Sequence, residues 1–411
     1  MKINKHCFPN GLRLVHYEDT STQMVALNIV YDVGARDEHP EHTGFAHLFE
    51  HLMFGGSAHI PDYDTPLQLA GGENNAWTKN DITNYYLTVP KPNVETAFWL
   101  ESDRMLELAF SEQSLEVQRG VVMEEFKQRC LNQPYGDVGH LFRPLAFRVH
   151  PYRWPTIGKE LSHIEQATLD EVKSFFYRFY APNNAVLAVT GNISWDETVK
   201  LTEKWFAPIP RRDVPVRQLP QEPEQTQERR LTVERNVPLD ALFMGYHMCS
   251  REGADYYAFD ILSDILSNGR SSRLNRRLVQ EQNIFSGIDA YISGTRDAGL
   301  LQISGKPAAG VSLEQAEAAV RKELEELQRS PVDGQELEKV KNKFESTQIF
   351  GNINYLNVAT NLAWFELTGK AEDIDLEVER YRSVTTEQLH TVAQRTFCES
   401  NAVVLYYKSD K

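Results

Sequence analysis

"TLDEVKSFFYRFYAPNNAVLAV", residues 168–189, returns without a gap as "TTEQLHTVAQRTFCESNAVVLY", residues 385–406. The offset is 385 − 168 = 217, and Asn184 falls on Asn401 at that same offset. Each copy is an amphipathic helical pattern followed by a buried, strand-like apolar run. Further upstream, "LFEHLMFGGS" from Leu48 lines up with "ILSDILSNGR" from Ile261, a helix closed by small residues in both places. These matches predict two copies of one α+β unit of about 200 residues, within the usual size of a domain. The alternative is chance similarity between amphipathic helices.

Strand-like and helical segments mix throughout each copy. "LRLVHY" and "QMVALNIVYDVG" read as strands, "GFAHLFEHLMFG" as a helix stopped by Gly55 and Gly56, and residues 91–130 and 160–180 as helical. From Ala207 to Thr226 the chain is rich in proline and charge and lacks apolar periodicity, as a linker does. The expected organisation is therefore a domain over 1–208, a linker over 209–227 and a homologous domain over 228–411. Each domain is predicted to pack a mixed or antiparallel sheet with helices.

The 411 residues carry a net charge of 43 − 58 = −15, which argues against nucleic acid or an anionic membrane as partner. Cys7, Cys130, Cys249 and Cys398 lie far apart and form no CxxC pair, so neither a sulfur zinc site nor a disulfide framework is expected. No apolar run approaches the ~18 residues of a membrane span, and "MKINKHCFPNGLRLVHY" has no apolar signal core. A cytoplasmic protein is expected, with export open if a signal has been removed.

Within "GFAHLFEHLMFGGS", residues 44–57, an otherwise apolar helix carries His47, Glu50 and His51. Positions i and i+4 share a helix face about 6 Å apart, so both imidazoles point the same way and can grip one metal ion. Glu50 lies beside that face, within reach of a water at the metal. A catalytic zinc site uses three protein ligands and leaves a fourth position open, so one ligand must come from elsewhere. A core helix with hydrogen-bonded histidines is the alternative. In the second copy these positions fall on Asp260, Ser263 and Asp264, so the fold does not require the three polar residues.

H-x-x-E-H is the inverted zinc-peptidase signature, and the chain resembles the insulinase/pitrilysin/mitochondrial-processing-peptidase family of zinc metallopeptidases. The resemblance implies a zinc-dependent endopeptidase with one Zn2+ per chain. It makes the third ligand a glutamate in "VQRGVVMEEFKQR": Glu125, at a separation of 125 − 51 = 74 from His51, with adjacent Glu124 as rival. The pattern's first glutamate, a supporting group behind the ligands in relatives, is Gln118 here. "GGENNAWTKNDITNYYLTVP" from Gly71 resembles a family edge strand that pairs with substrate backbone, which assigns Asn75, Ala76 and Trp77 to peptide binding. An ordinary glycine hairpin explains its composition equally well. "HPYRWPTIG" from His150 matches a further, structural segment. Glu50 becomes the general base, and the chain one half of a clamshell whose four domains enclose the substrate.

The pattern breaks in the second domain. Relatives carry an Arg and a Tyr at a spacing of seven that clamp the scissile carbonyl. Aligned on "SSRLNRRLVQEQNIFSG", those positions are Val279 and Ser286. Three expectations follow: a heterodimer whose other chain supplies the Arg/Tyr pair, a homodimer with other donors, or a weakly active or non-catalytic scaffold homologue.

Overall fold

The computed structural model describes residues 1–410, and these form two compact units. The first is built on strands β1 (Asn4–Cys7), β2 (Arg13–Glu18), β3 (Met24–Tyr31), β4 (Glu73–Thr78), β5 (Thr83–Pro90) and β6 (Ala185–Gly191). They lie in the order β1-β2-β6-β3-β5-β4, with β2 parallel to β6 and the other pairs antiparallel. The second unit uses β7 (Arg229–Arg235), β8 (Ala241–His247), β9 (Phe285–Ile292), β10 (Leu300–Pro307) and β11 (Ala402–Ser409). Their order is β7-β11-β8-β10-β9, with β7 parallel to β11. The repeat is therefore a repeat of topology. β6 starts at Ala185 and β11 at Ala402, which is the offset of 217 seen in the sequence, and β1 is an extra edge strand in the first copy.

Both faces of each sheet are covered, which is why the central strands read as continuous apolar runs. Every residue of β6 is buried. Along β3, Val25, Leu27 and Ile29 face one core, while Ala26 and Val30 face another with Val358, Ala359, Leu362 and Ala363 of the helix Tyr355–Thr368. In the second unit, Val403, Leu405 and Tyr407 of β11 pack with Phe142 and Ala146 of the helix Val138–Ala146.

These two covering helices come from the opposite halves of the sequence. The first unit comprises Met1–Arg129, Trp154–Leu219 and Ile349–Leu376; the second comprises Cys130–Arg153, Pro220–Gln348 and the chain from Glu377 onward. The helices start at Val138 and Tyr355, again the offset of 217, so equivalent segments of the two copies are exchanged. Packing units thus differ from the stretches 1–208 and 228–411.

The stretch between the copies has no regular secondary structure over 210–226, yet it is pinned. Arg217 pairs with Asp32 (3.0 Å) and Asp37 (2.5 Å), and Glu222 accepts the N–H groups of Arg148, Val149 and His150. The helical pattern over 91–130 is interrupted: one helix ends at Leu106, the next runs Glu112–Phe126, and Phe110 between them has φ +44°. Ser111 caps the second helix by accepting the Ser114 N–H. Among the described residues no helix is long and apolar enough to cross a membrane.

Candidate metal centre

His47, Glu50 and His51 sit on the helix Phe45–Leu52, whose Ala46, Leu48, Phe49 and Leu52 are buried in the core against the sheet. The helix Glu112–Phe126 packs beside it through Leu115 and Val122 and carries Glu125 on the facing side. Glu125 Oε2 lies 3.5 Å from His47 Nε2 and 3.3 Å from His51 Nε2, and the two imidazoles are nearly perpendicular at 4.9 Å. Glu124 points elsewhere: it is exposed and pairs with Lys127 at 2.5 Å.

The donor set passes a simple test for a zinc ion. Ligand atoms about 2.0–2.1 Å from a tetrahedral ion stand roughly 3.3 Å apart, close to both nitrogen–oxygen distances here. The three donor atoms all lie within 4.8 Å of one another. Burial pushes His47 down to about 4, against the pull of Glu125, so its imidazole is neutral near pH 7 with a lone pair to offer. Hydrogen bonding from His51, with the charge of Arg129, holds Glu125 below the usual carboxylate range despite its burial.

Glu50 stays outside this set. Thr78 in β4 donates its Oγ1 hydrogen to Glu50 Oε2 at 2.6 Å, and burial raises the Glu50 pKa against that bond. Glu125 is held from behind by Arg129 Nη1, 2.8 Å from Oε1, on a π-type turn over Lys127–Leu131. Glu38 is buried and accepts the N–H groups of Gly44 and Ala46, each at 2.9 Å, at the start of the motif helix. Burial pushes Glu38 up to about 8, opposed by those two bonds. Thr78 is the threonine of the glycine-rich strand pattern; Arg129 is readable as an i+4 partner of Glu125; Glu38 has no sequence signal. Gln118, expected to support the ligands, carries its amide beside Gly55, just past the motif helix.

Asn75, Ala76 and Trp77 lie in β4, the last strand of its sheet, hydrogen-bonded only to β5 among the described residues. Alternation sends Ala76 and Thr78 toward the motif helix, while Trp77 packs on the opposite face with Lys79 Nζ 4.8 Å from its ring. The outer edge of β4 lies beside Glu50, and along this strand the Ala76 N–H is accepted by the Asn75 side-chain oxygen at 2.8 Å.

The second unit keeps the helix, Tyr256–Ser267, without the donors. Asp260 accepts the Tyr381 hydroxyl, and Asp264 accepts the Asn268 amide at 2.8 Å. The counterpart of Glu125 at the repeat offset, 125 + 217 = 342, is Asn342, bound by Arg382. Val279 packs on the core of this unit, and Ser286 donates to the Lys306 carbonyl. Nearby Arg277 is taken up by Glu323 and Glu326.

Residues 13–137 match the family model for insulinase (peptidase family M16), and residues 166–344 match the model for the peptidase M16 inactive domain. The chain is 26% identical over 405 residues to the zinc protease PqqE of Helicobacter pylori, covering 97% of this chain and 91% of that one. It is 25% identical to an uncharacterized zinc protease, YmxG, of Bacillus subtilis, with 98% of each covered. A crystal structure of a Helicobacter pylori protease superposes with TM-score 0.94 at 26% identity over 99% of both chains. A Pseudomonas fluorescens structure described as a peptidase M16 inactive domain superposes with TM-score 0.89 at 16% identity over 100% of this chain and 99% of that one, a likeness of fold. Two matching family models in tandem, on a duplicated fold whose first copy alone carries the two histidines and the glutamate, make this chain a member of the M16 (insulinase) peptidase family.

Proposed function

We propose that this chain is a zinc-dependent endopeptidase acting on peptides or unfolded segments. The observation that carries the reading is the convergence of His47, His51 and Glu125 on one point, with Glu50 beside them and an open strand edge adjoining. His47, His51 and Glu125 would hold one Zn2+ ion, which when bound supplies Lewis acidity to polarise the scissile carbonyl and ionise water. Glu50, oriented by Thr78, takes the proton from the attacking water and delivers it to the leaving amine. The outer edge of β4 around Asn75, Ala76 and Trp77 holds the substrate extended by backbone hydrogen bonds, whatever its side chains. A cytoplasmic setting belongs to this reading, supported by four free cysteines.

Val279 and Ser286 favour a second reading, in which the chain is the zinc-bearing member of a homodimer or heterodimer and a related chain supplies an Arg/Tyr clamp. An internally quenched peptide library, incubated with this chain alone and with such a chain, with and without chelator, separates the two. Chelator-sensitive cleavage by the chain alone supports the first reading. Cleavage only with the second chain supports the other, and none in either arm defeats the peptidase assignment.

A further inference from the structure

The motif helix starts without the usual support. Its N-cap is Gly44, at φ +88°, which has no side chain to accept first-turn N–H groups, and no acidic residue stands in that turn. A side chain at position 44 is also excluded, since a Cβ there would lie 2.7 Å from Ile164 Cδ1 and 2.9 Å from the Ile157 carbonyl. The acceptors come instead from Glu38, 6% exposed, whose Oε2 takes the Gly44 N–H and whose Oε1 takes the Ala46 N–H. Neighbouring Asp37 is occupied differently, by Arg217 and by Arg36 at 3.9 Å.

This cap sits where angular error matters. Ala46 directly precedes His47, and its carbonyl lies 3.5 Å from Thr78 Oγ1, the group that orients Glu50. A helix this short, Phe45–Leu52, has few internal hydrogen bonds to fix its own phase. With side-chain tips about 6 Å from the axis, a turn of about 10° shifts them by roughly 1 Å, enough to spoil a three-donor set.

We infer that Glu38 is a positioning residue for the zinc site: its two carboxyl oxygens clamp the Gly44 and Ala46 amides and fix the axial rotation of the helix that presents His47, Glu50 and His51. The inference rests on the zinc-peptidase reading above. Glu38→Gln keeps the shape but turns an NH2 group against one of the two amides. Glu38→Asp keeps the carboxyl group but is one methylene short of spanning both.

The test is made on the full chain. Zinc affinity is measured by competition with a chromophoric chelator, amide hydrogen exchange is followed across residues 44–52, and kcat and KM are measured on a quenched peptide that the wild type cleaves. Both variants are expected to bind zinc about tenfold more weakly, the usual cost of losing a group that orients a ligand. They should lower kcat by a similar factor with KM within twofold, and speed exchange across 44–52 while β6 is unchanged. Zinc affinity within twofold of wild type in both variants overturns the inference, even if their melting temperature falls, because that is the signature of a cap with no bearing on the site. Should Glu38→Gln fail to fold, the zinc titration of Glu38→Asp decides. A wild-type chain that takes up no stoichiometric zinc defeats the zinc-peptidase reading itself, whereas wild-type binding matched by both variants defeats only the role of Glu38.

Discussion

At the proposed zinc site, Glu50 and Glu125 are held by different partners. Glu50 is tied to Thr78 and kept off the donor set, whereas Glu125 is aimed into it from a second helix. Glu50→Gln should therefore retain zinc and lose cleavage by about 10²–10⁴-fold, the usual share of a general base; full activity in a folded mutant would remove Glu50 from that role. Glu125→Ala should lose stoichiometric zinc by elemental analysis, while Glu124→Ala keeps it, because Glu124 is spent on Lys127 at the surface. Thr78→Val should leave zinc content intact and slow cleavage by at least roughly tenfold, from a lost hydrogen bond to a charged group worth about 1.5 kcal/mol or more. Legibility in the sequence follows the range of each contact. The His47 and His51 pair is an i, i+4 spacing and could be read directly. Glu125 became visible only through family resemblance, since it belongs to a different helix, far along the chain from His51. Glu38 could not be read at all, because its partners are backbone amides and leave no side-chain signature.

At the scale of elements, the helices that cover the outer faces of the sheets each complete a second hydrophobic core. Leu362, fully buried on the face of β3 and β6, should cost about 2–5 kcal/mol when changed to alanine, measured by urea denaturation. Gly245 in β8 marks the matching contact in the second unit: a Cβ there would stand 2.8 Å from the Phe142 ring. Gly245→Ala should therefore destabilise by about 1–3 kcal/mol through overpacking. Strands were the easier elements to read, because β6 and β11 repeat an unbroken apolar run. The helical pattern over 91–130 concealed a break at Glu107–Ser111, since apolar spacing continues across it while Phe110 takes a left-handed backbone angle that periodicity does not register.

For the whole molecule, the duplication was legible as an ungapped match at an offset of 217 late in each copy and a weaker one at 261 − 48 = 213 around the motif helix, but the exchange of covering helices was not. Both segments occupy equivalent places in their copies and carry patterns fit for either sheet, so nothing in them names the sheet they cover. The exchange predicts that a fragment of residues 1–219, although it holds every zinc donor, will bind the dye ANS and lack cooperative melting, because the outer face of β2, β3 and β6 is then bare. Supplying residues 349–376 as a separate peptide should restore zinc uptake; a cooperative, zinc-binding 1–219 fragment would contradict this. The same exchange sets a clock on biosynthesis. Donors up to Glu125 leave the ribosome early, and the rest of their unit is made by Leu219, but the segment that seals their sheet ends only at Leu376. The roughly 150 residues between take roughly 8–30 s to make at about 5–20 residues per second. Through that interval a nascent first unit waits with one sheet face exposed, a window in which chaperones and proteases compete for an unfinished chain.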